Sequence, residues 1–253
     1  MKPVLVVAKR DFSSFFYAPL GWVVITSVLF LSGYFFFSFV AQFNQAVVQT
    51  AKIPGIAPQT QIWIVYPFYK TLSVILLFML PLLSMRSFAE EAQRGTLKLL
   101  FTSAISNQEL VWGKFLGTVF ITLVILSTAF IFPLLQVFLS ATEVAPLFTS
   151  SLGIVLYALA LSALGLFVSA ITKSPLLAAL LSFILFFMLF LIEGAVGKLP
   201  PLWAPIISYI SPTAQLDSFL KGVLDSKNII YFFSVIACGV FLAERVVEVK
   251  RPS

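Results

Sequence analysis

Histidine is absent from this 253-residue chain, and cysteine occurs once, as Cys238. The first absence excludes a histidine-based metal site or catalytic triad, and the second excludes an intramolecular disulfide. Charge is scarce as well: 10% of residues are Asp, Glu, Lys or Arg, against about 25% in ordinary soluble domains. A soluble fold of this length would lack the polar side chains to cover its surface. No G-x-x-x-x-G-K-[ST] phosphate loop is present, since Gly113-Lys114-Phe115 has neither the upstream glycine nor the following Ser or Thr. The polar connections reach only about 30 residues, far short of a nucleotide-binding domain. Ionisable residues are missing from the middle of the apolar runs, with Glu143 and Glu193 at their outer ends. Ion-coupled carriers usually keep such groups inside the bundle, which weighs against that class.

What is abundant is apolar surface. Hydrophobic residues make up 60% of the chain and mean hydropathy is +1.05. The runs are long and continuous rather than alternating, so they read as helices crossing lipid. The expected architecture is all-α and polytopic, a single transmembrane domain over 1–253. Six spans are expected, at about 18–43, 68–85, 116–140, 150–172, 175–193 and 228–243. Lys and Arg then set orientation. With the N-terminus inside, the inner set is Lys2, Lys9, Arg10, Arg86, Arg94, Lys98, Lys114, Lys173, Arg245, Lys250 and Arg251, 11 of the 16. The outer set is Lys52, Lys70, Lys198, Lys221 and Lys227. Both termini are therefore expected in the cytoplasm. The net charge of +6 is scattered over ends and loops rather than gathered on one face, which argues against a nucleic-acid partner.

Residues 2–17 form a separate element. On a helical wheel Val4, Leu5, Ala8, Phe12, Phe15 and Phe16 share one face, opposite Lys2, Lys9, Arg10, Ser13 and Ser14. That pattern suits a helix in the inner membrane interface; the alternative is a plain extension of the first span. Pro19 and Gly21 allow the turn between them. The outer segment 44–67, with Pro54, Gly55 and Pro58, reads as irregular. The outer segment 194–227 carries four prolines, yet its Trp203, Ile206, Ile207, Tyr209 and Ile210 are too apolar for a free loop. Short re-entrant or interfacial helices are expected there. Cys238 reads as a small packing residue, and Trp63, Trp112 and Trp203 as interfacial anchors.

The connection 86–115 concentrates charge: Glu90, Glu91, Arg94, Lys98, Glu109 and Lys114. Gly95 is placed to end one helix and Thr96 to cap another. Leu97, Leu100 and Phe101 would give the new helix a small apolar face flanked by charges. Residues alone leave two readings open: a docking element for a cytosolic partner, or a solvated loop packed on its own helices.

The stretch Glu90-Glu91-Ala92-Gln93-Arg94-Gly95-Thr96-Leu97, followed by Leu99-Leu100-Phe101-Thr102-Ser103 and by Gly113-Lys114, resembles the signature of ABC-2 permeases. Ala104 stands where that family usually has proline. Three further stretches are most similar to the gliding-motility-associated type. They are Lys9-Arg10-Asp11-Phe12 through Leu20, Ser211-Pro212 through Val223, and Glu244-Arg245 through Arg251. The resemblance covers nearly the whole chain.

The resemblance implies a type V exporter-like permease in a bacterial inner membrane. It implies ABC ATPase subunits as partners, which bind the ATP, so that this chain needs no cofactor and is not itself an enzyme. It also implies a second copy or paralogue across the path, and a companion membrane subunit with a large periplasmic region. The coupling residues would be Glu90, Glu91, Gly95, Thr96, Leu97 and Leu100, with Lys173 in the turn Thr172-Lys173-Ser174 as a second, smaller contact. Of the polar residues inside spans, Gln136 is the best single candidate for a substrate path, although helix packing explains such residues more often. Two alternatives stand beside this reading: an ATPase-driven mechanical scaffold that moves no cargo, and a nucleotide-independent channel or carrier.

Overall fold

The structure is a computed structural model and describes residues 3–50, 59–96, 105–139, 144–196 and 204–250. The described residues are almost all helical, with no strand among them. Helix α1 spans Pro3–Tyr17 and α2 spans Pro19–Thr50. A π-helical turn, Gln61–Val65, leads directly into α3, Tyr66–Ser84. The short α4 covers Ala89–Gln93. Then come α5, Asn107–Ala129; α6, Ile131–Leu139; α7, Val144–Ile171; and α8, Pro175–Val196. Two short helices, α9 (Ala204–Ile210) and α10 (Pro212–Leu220), precede α11, Ser226–Lys250. Six helical stretches are long and apolar enough to cross a membrane: 19–50, 61–93, 107–138, 144–171, 175–194 and 226–250.

The helices overrun the expected spans, because polar turns of a helix continue beyond the apolar run that marks the lipid. The first runs to Thr50, so 44–50 is helical rather than irregular, while Pro54, Gly55 and Pro58 lie outside the described residues. The third begins at Asn107, not near Gly113-Lys114. A capping box fixes that start: the Ser106 hydroxyl accepts from the Glu109 amide, and the Glu109 carboxylate accepts from the Ser106 amide. Cys238 is exposed on α11 rather than packed. The neighbouring Gly239 takes the packing role, since a Cβ there would stand 2.8 Å from the Ala163 carbonyl carbon of α7. Small residues at such contacts let helix backbones approach in lipid, where packing rather than water drives association.

Helix α7 is the hub. It packs against α3, α5, α8, α10 and α11, and it is apolar all round, as a protein-surrounded helix must be. Hydroxyls join it to neighbours: Thr122 of α5 meets Ser162 at 3.3 Å. Helices α2, α8 and α11 keep most of their apolar surface exposed at the rim.

The bundle has two chemically different ends. At one, α9 and α10 close the helix termini. Gly153 of α7 admits the Phe219 side chain, which a Cβ would meet at 2.5 Å. Tyr66 donates to Asp217 at 2.6 Å, Gln61 donates to the Leu220 carbonyl, Tyr231 donates to the Ile210 carbonyl, and Lys70 pairs with Glu193. Burial opposes the charged form of Asp217, but Lys221, Tyr66 and Lys70 outweigh it and hold the carboxyl below its ordinary value. Trp63 is exposed near this end, and Trp203 lies outside the described residues. At the other end lie α1, α4, the start of α5 and the 172–174 turn.

Helix α1 is separate from α2, with the chain folding so tightly at Ala18–Gly21 that a Cβ on Gly21 would meet the Phe15 carbonyl oxygen at 2.3 Å. It does not lie across α5 but climbs beside it, four residues for four. Val4 and Val7 contact Gly113, Ala8 and Asp11 contact Gly117, and the Phe12 ring faces Phe120 at 6.5 Å. The buried face therefore carries Val7, Ala8, Asp11 and Phe15, whereas Leu5, expected on that face, is exposed. The α5 surface it rides on is a G-x-x-x-G pair, Gly113 and Gly117.

Candidate functional site

Lys114 sits between those two glycines, on the third turn of α5, with 1% of its side chain exposed. A buried ammonium is tolerated only when paired and hydrogen-bonded. Here Nζ donates to the Ser87 carbonyl at 2.6 Å, lies 2.8 Å from Glu91 Oε2 and 3.2 Å from Asp11 Oδ2, and stands 5.0 Å over the Phe88 ring. Arg10 completes the cluster: Nη2 is 2.6 Å from Glu91 Oε1 and 2.8 Å from Asp11 Oδ1. Burial works against the Arg10 cation, but the two carboxylates prevail and raise its proton affinity above the ordinary value. Two cations and two carboxylates thus tie α1, α4 and α5 at one point. Beside them is a cavity of about 320 Å³, lined by Arg86, Glu90, Arg94 and Thr96 among others.

Helix α4 is held at both ends. The Phe88 and Ala89 amides, which a helix start leaves without partners, both donate to the Ser169 hydroxyl of α7 at 3.1 Å. At its far end Gly95 adopts φ +73°, a left-handed stop that side-chain-bearing residues resist. Thr96 does not cap forward; its hydroxyl donates back to the Glu91 carbonyl at 3.3 Å.

The expected coupling residues fall into three groups. Glu90 and Glu91 spend their carboxylates within the chain, Glu90 on Arg86 (3.1 Å) and Arg94 (2.6 Å), Glu91 on Arg10 and Lys114. Gly95 and Thr96 are exposed, and Leu97 and Leu100 lie outside the described residues. Lys173 is exposed in its turn, beside Lys250, whose Nζ donates to the Ala170 and Ile171 carbonyls. Because Ser169 precedes that turn by one helical step, the structure brings the 90–96 segment and the 172–174 turn to the same end of the bundle. Gln136 stands apart. It is 5% exposed on α6, beside a void of about 10 Å³ walled by Phe36, Phe68 and Tyr69, and it faces the chain's own core.

Lys114, Asp11 and Ser169 were not legible as site residues. The G-x-x-x-G spacing was the available signal, since it marks a close helix contact that would trap the lysine between. Asp11 carried a second signal, an acid on the face of α1 that bears Val4, Val7 and Ala8.

Among the described residues there is no group of three or more Cys, Asp or Glu side chains that could hold a metal ion. No curated protein matches the chain. A family model described as ABC-2 family transporter protein matches residues 5–243, nearly all of it. This multi-pass membrane protein, with six apolar helices of which α7 is the hub, belongs to the ABC-2 family of transporter proteins and is a membrane permease component of an ABC transporter.

Proposed function

We propose that the chain is the permease subunit of an ATP-driven exporter or envelope machine of the gliding-motility-associated type, in a bacterial inner membrane. The Lys114 end faces the cytoplasm and a separate ATPase drives it. The observation that carries this reading is the four-charge junction of Arg10, Asp11, Glu91 and Lys114 directly behind the exposed Gly95-Thr96 step. A push on the segment following Gly95 reaches α4, and from there α1 and α5 through the ion pairs and α7 through Ser169. In this arrangement Glu90 and Glu91 brace the segment, while Gly95, Thr96, Leu97, Leu100 and Lys173 supply the contact. Eight of the eleven Lys and Arg described with side chains lie at that end (Lys9, Arg10, Arg86, Arg94, Lys114, Lys173, Arg245 and Lys250), which supports cytoplasmic termini.

The exposed rim helices supply the surface for a second copy or paralogue, and the small outer surface leaves room for a companion subunit with a large periplasmic region. Gln136 is buried in this chain's own core, which favours a substrate path at the interface between subunits over one through a single chain. The test is co-purification in mild detergent with ATPase activity assayed, comparing wild type with Leu97→Asp plus Leu100→Asp. Association with an ATPase that the double variant abolishes is expected. Equal recovery of ATPase with the variant refutes the docking assignment, and no nucleotide-binding partner with wild type refutes the exporter reading.

A further inference from the structure

A trough runs between the outward faces of α1 and α5, on the opposite side of α1 from the charge junction. Its volume is about 890 Å³ and its walls are almost wholly apolar, with Leu5, Phe12, Phe120 and Leu123 prominent. Leu5, Phe120 and Leu123 are exposed there. The only hydroxyl on its α5 side, Ser127, is spent on the Val124 carbonyl at 2.6 Å. Ser13 adds one hydroxyl from α1, and the rest of the lining apart from the cations is apolar. Cations stand on one rim only: Lys9 is exposed and makes no ion pair among the described residues, and Arg10 keeps 43% of its side chain exposed.

Length is the second clue. Since Ala8 lies at the level of Gly117 and Phe12 at that of Phe120, Lys9 and Arg10 stand at about the level of Gly117, and the apolar wall of α5 runs on from there to Ser127. About ten residues of helix measure about 15 Å, and the hydrocarbon of one leaflet is about 15 Å thick. An occupant with an anion at one end and a hydrocarbon chain of leaflet length matches both the charge and the dimension. A peptide helix from a second copy would need to bring an acid and an apolar ridge in the same register.

We propose that this trough is a binding site for one anionic phospholipid of the leaflet at the Lys114 end, with its phosphate on Lys9 and Arg10 and an acyl chain along Phe120, Leu123 and Ser127. Arg10 faces both the trough and the charge junction. A phosphate there competes with Glu91 for the guanidinium, so occupancy biases the link between α1 and α4.

The experiment is native mass spectrometry of the full chain released from detergent micelles doped with equal phosphatidylglycerol and phosphatidylcholine. Size-exclusion profiles check folding. Wild type is expected to retain one phosphatidylglycerol in preference. Lys9→Gln should lose about fivefold of that preference, the worth of one lysine at an anionic surface. Leu123→Trp, which fills the apolar wall, should lower retention of both lipids. Equal retention by wild type and Lys9→Gln overturns the proposal. So does disulfide-linked dimer formation by Leu123→Cys in a Cys238→Ala background, because a second copy then occupies the trough. These readouts need no ATPase, so their failure is separate from failure of the exporter reading.

Discussion

Replacing Lys114 by Met tests the junction most directly, because it removes the charge and keeps the length of the side chain. The Ser87 carbonyl would lose its 2.6 Å donor, and Glu91 and Asp11 would keep only Arg10. Removing one partner of a buried ion pair typically costs about 3–5 kcal/mol. Asp11 and Glu91 are near 20% exposed, so water screens what remains, and we expect about 2–3 kcal/mol after that discount. On the scale of soluble domains of this size that is on the order of 5–10 °C in melting temperature. The assay is thermal unfolding of the detergent-solubilised protein for Lys114→Met, Glu91→Gln and the double variant. The two residues touch, so the double variant should be less damaged than the sum of the singles, by about 1–2 kcal/mol. Strict additivity, or a single-variant cost below about 0.5 kcal/mol, would refute the idea that Lys114 holds the three helices together.

Ser169→Ala leaves the Phe88 and Ala89 amides without their acceptor; faster hydrogen exchange over 88–92, at a cost of about 1–2 kcal/mol, is expected. Gly95→Ala meets open space but a left-handed backbone. It should cost about 1 kcal/mol and weaken ATPase stimulation, with Gly95→Asn milder because asparagine tolerates that conformation; equal loss in both would point to another cause. Asp217 is held below its unfolded value near 3.9, so its contribution is present above that pH and is lost as pH falls through the folded value. Asp217→Asn should therefore lower stability at neutral pH and flatten the acid limb of a stability–pH profile.

Much of the fold is legible from composition and run length alone. A chain with 10% charge and six long apolar runs has lipid as its solvent, and lipid forces every backbone amide into a helix or closed barrel. The break between α1 and α2 is legible from Ala18-Pro19 and Gly21, and the stop after α4 from Gly95, because these residues act on the backbone locally. Helix ends were less legible: the polar residues 107–115 read as connection, yet the Ser106–Glu109 capping box and the docked α1 make them the first turns of α5.

The charge junction belongs to tertiary structure. Asp11 and Lys114 are 103 positions apart and Arg10 and Glu91 are 81 apart. No local propensity or periodicity couples residues at such separations, and a lysine at the edge of an apolar run reads equally well as a solvated anchor. Only when Gly113 and Gly117 let α1 settle onto α5 does Lys114 lose its water, and only then must it find carboxylates. The sequence by itself determined the solvent, the helices and their breaks, since these depend on neighbours along the chain; the packing of α1, α4 and α7 decided which charges became partners.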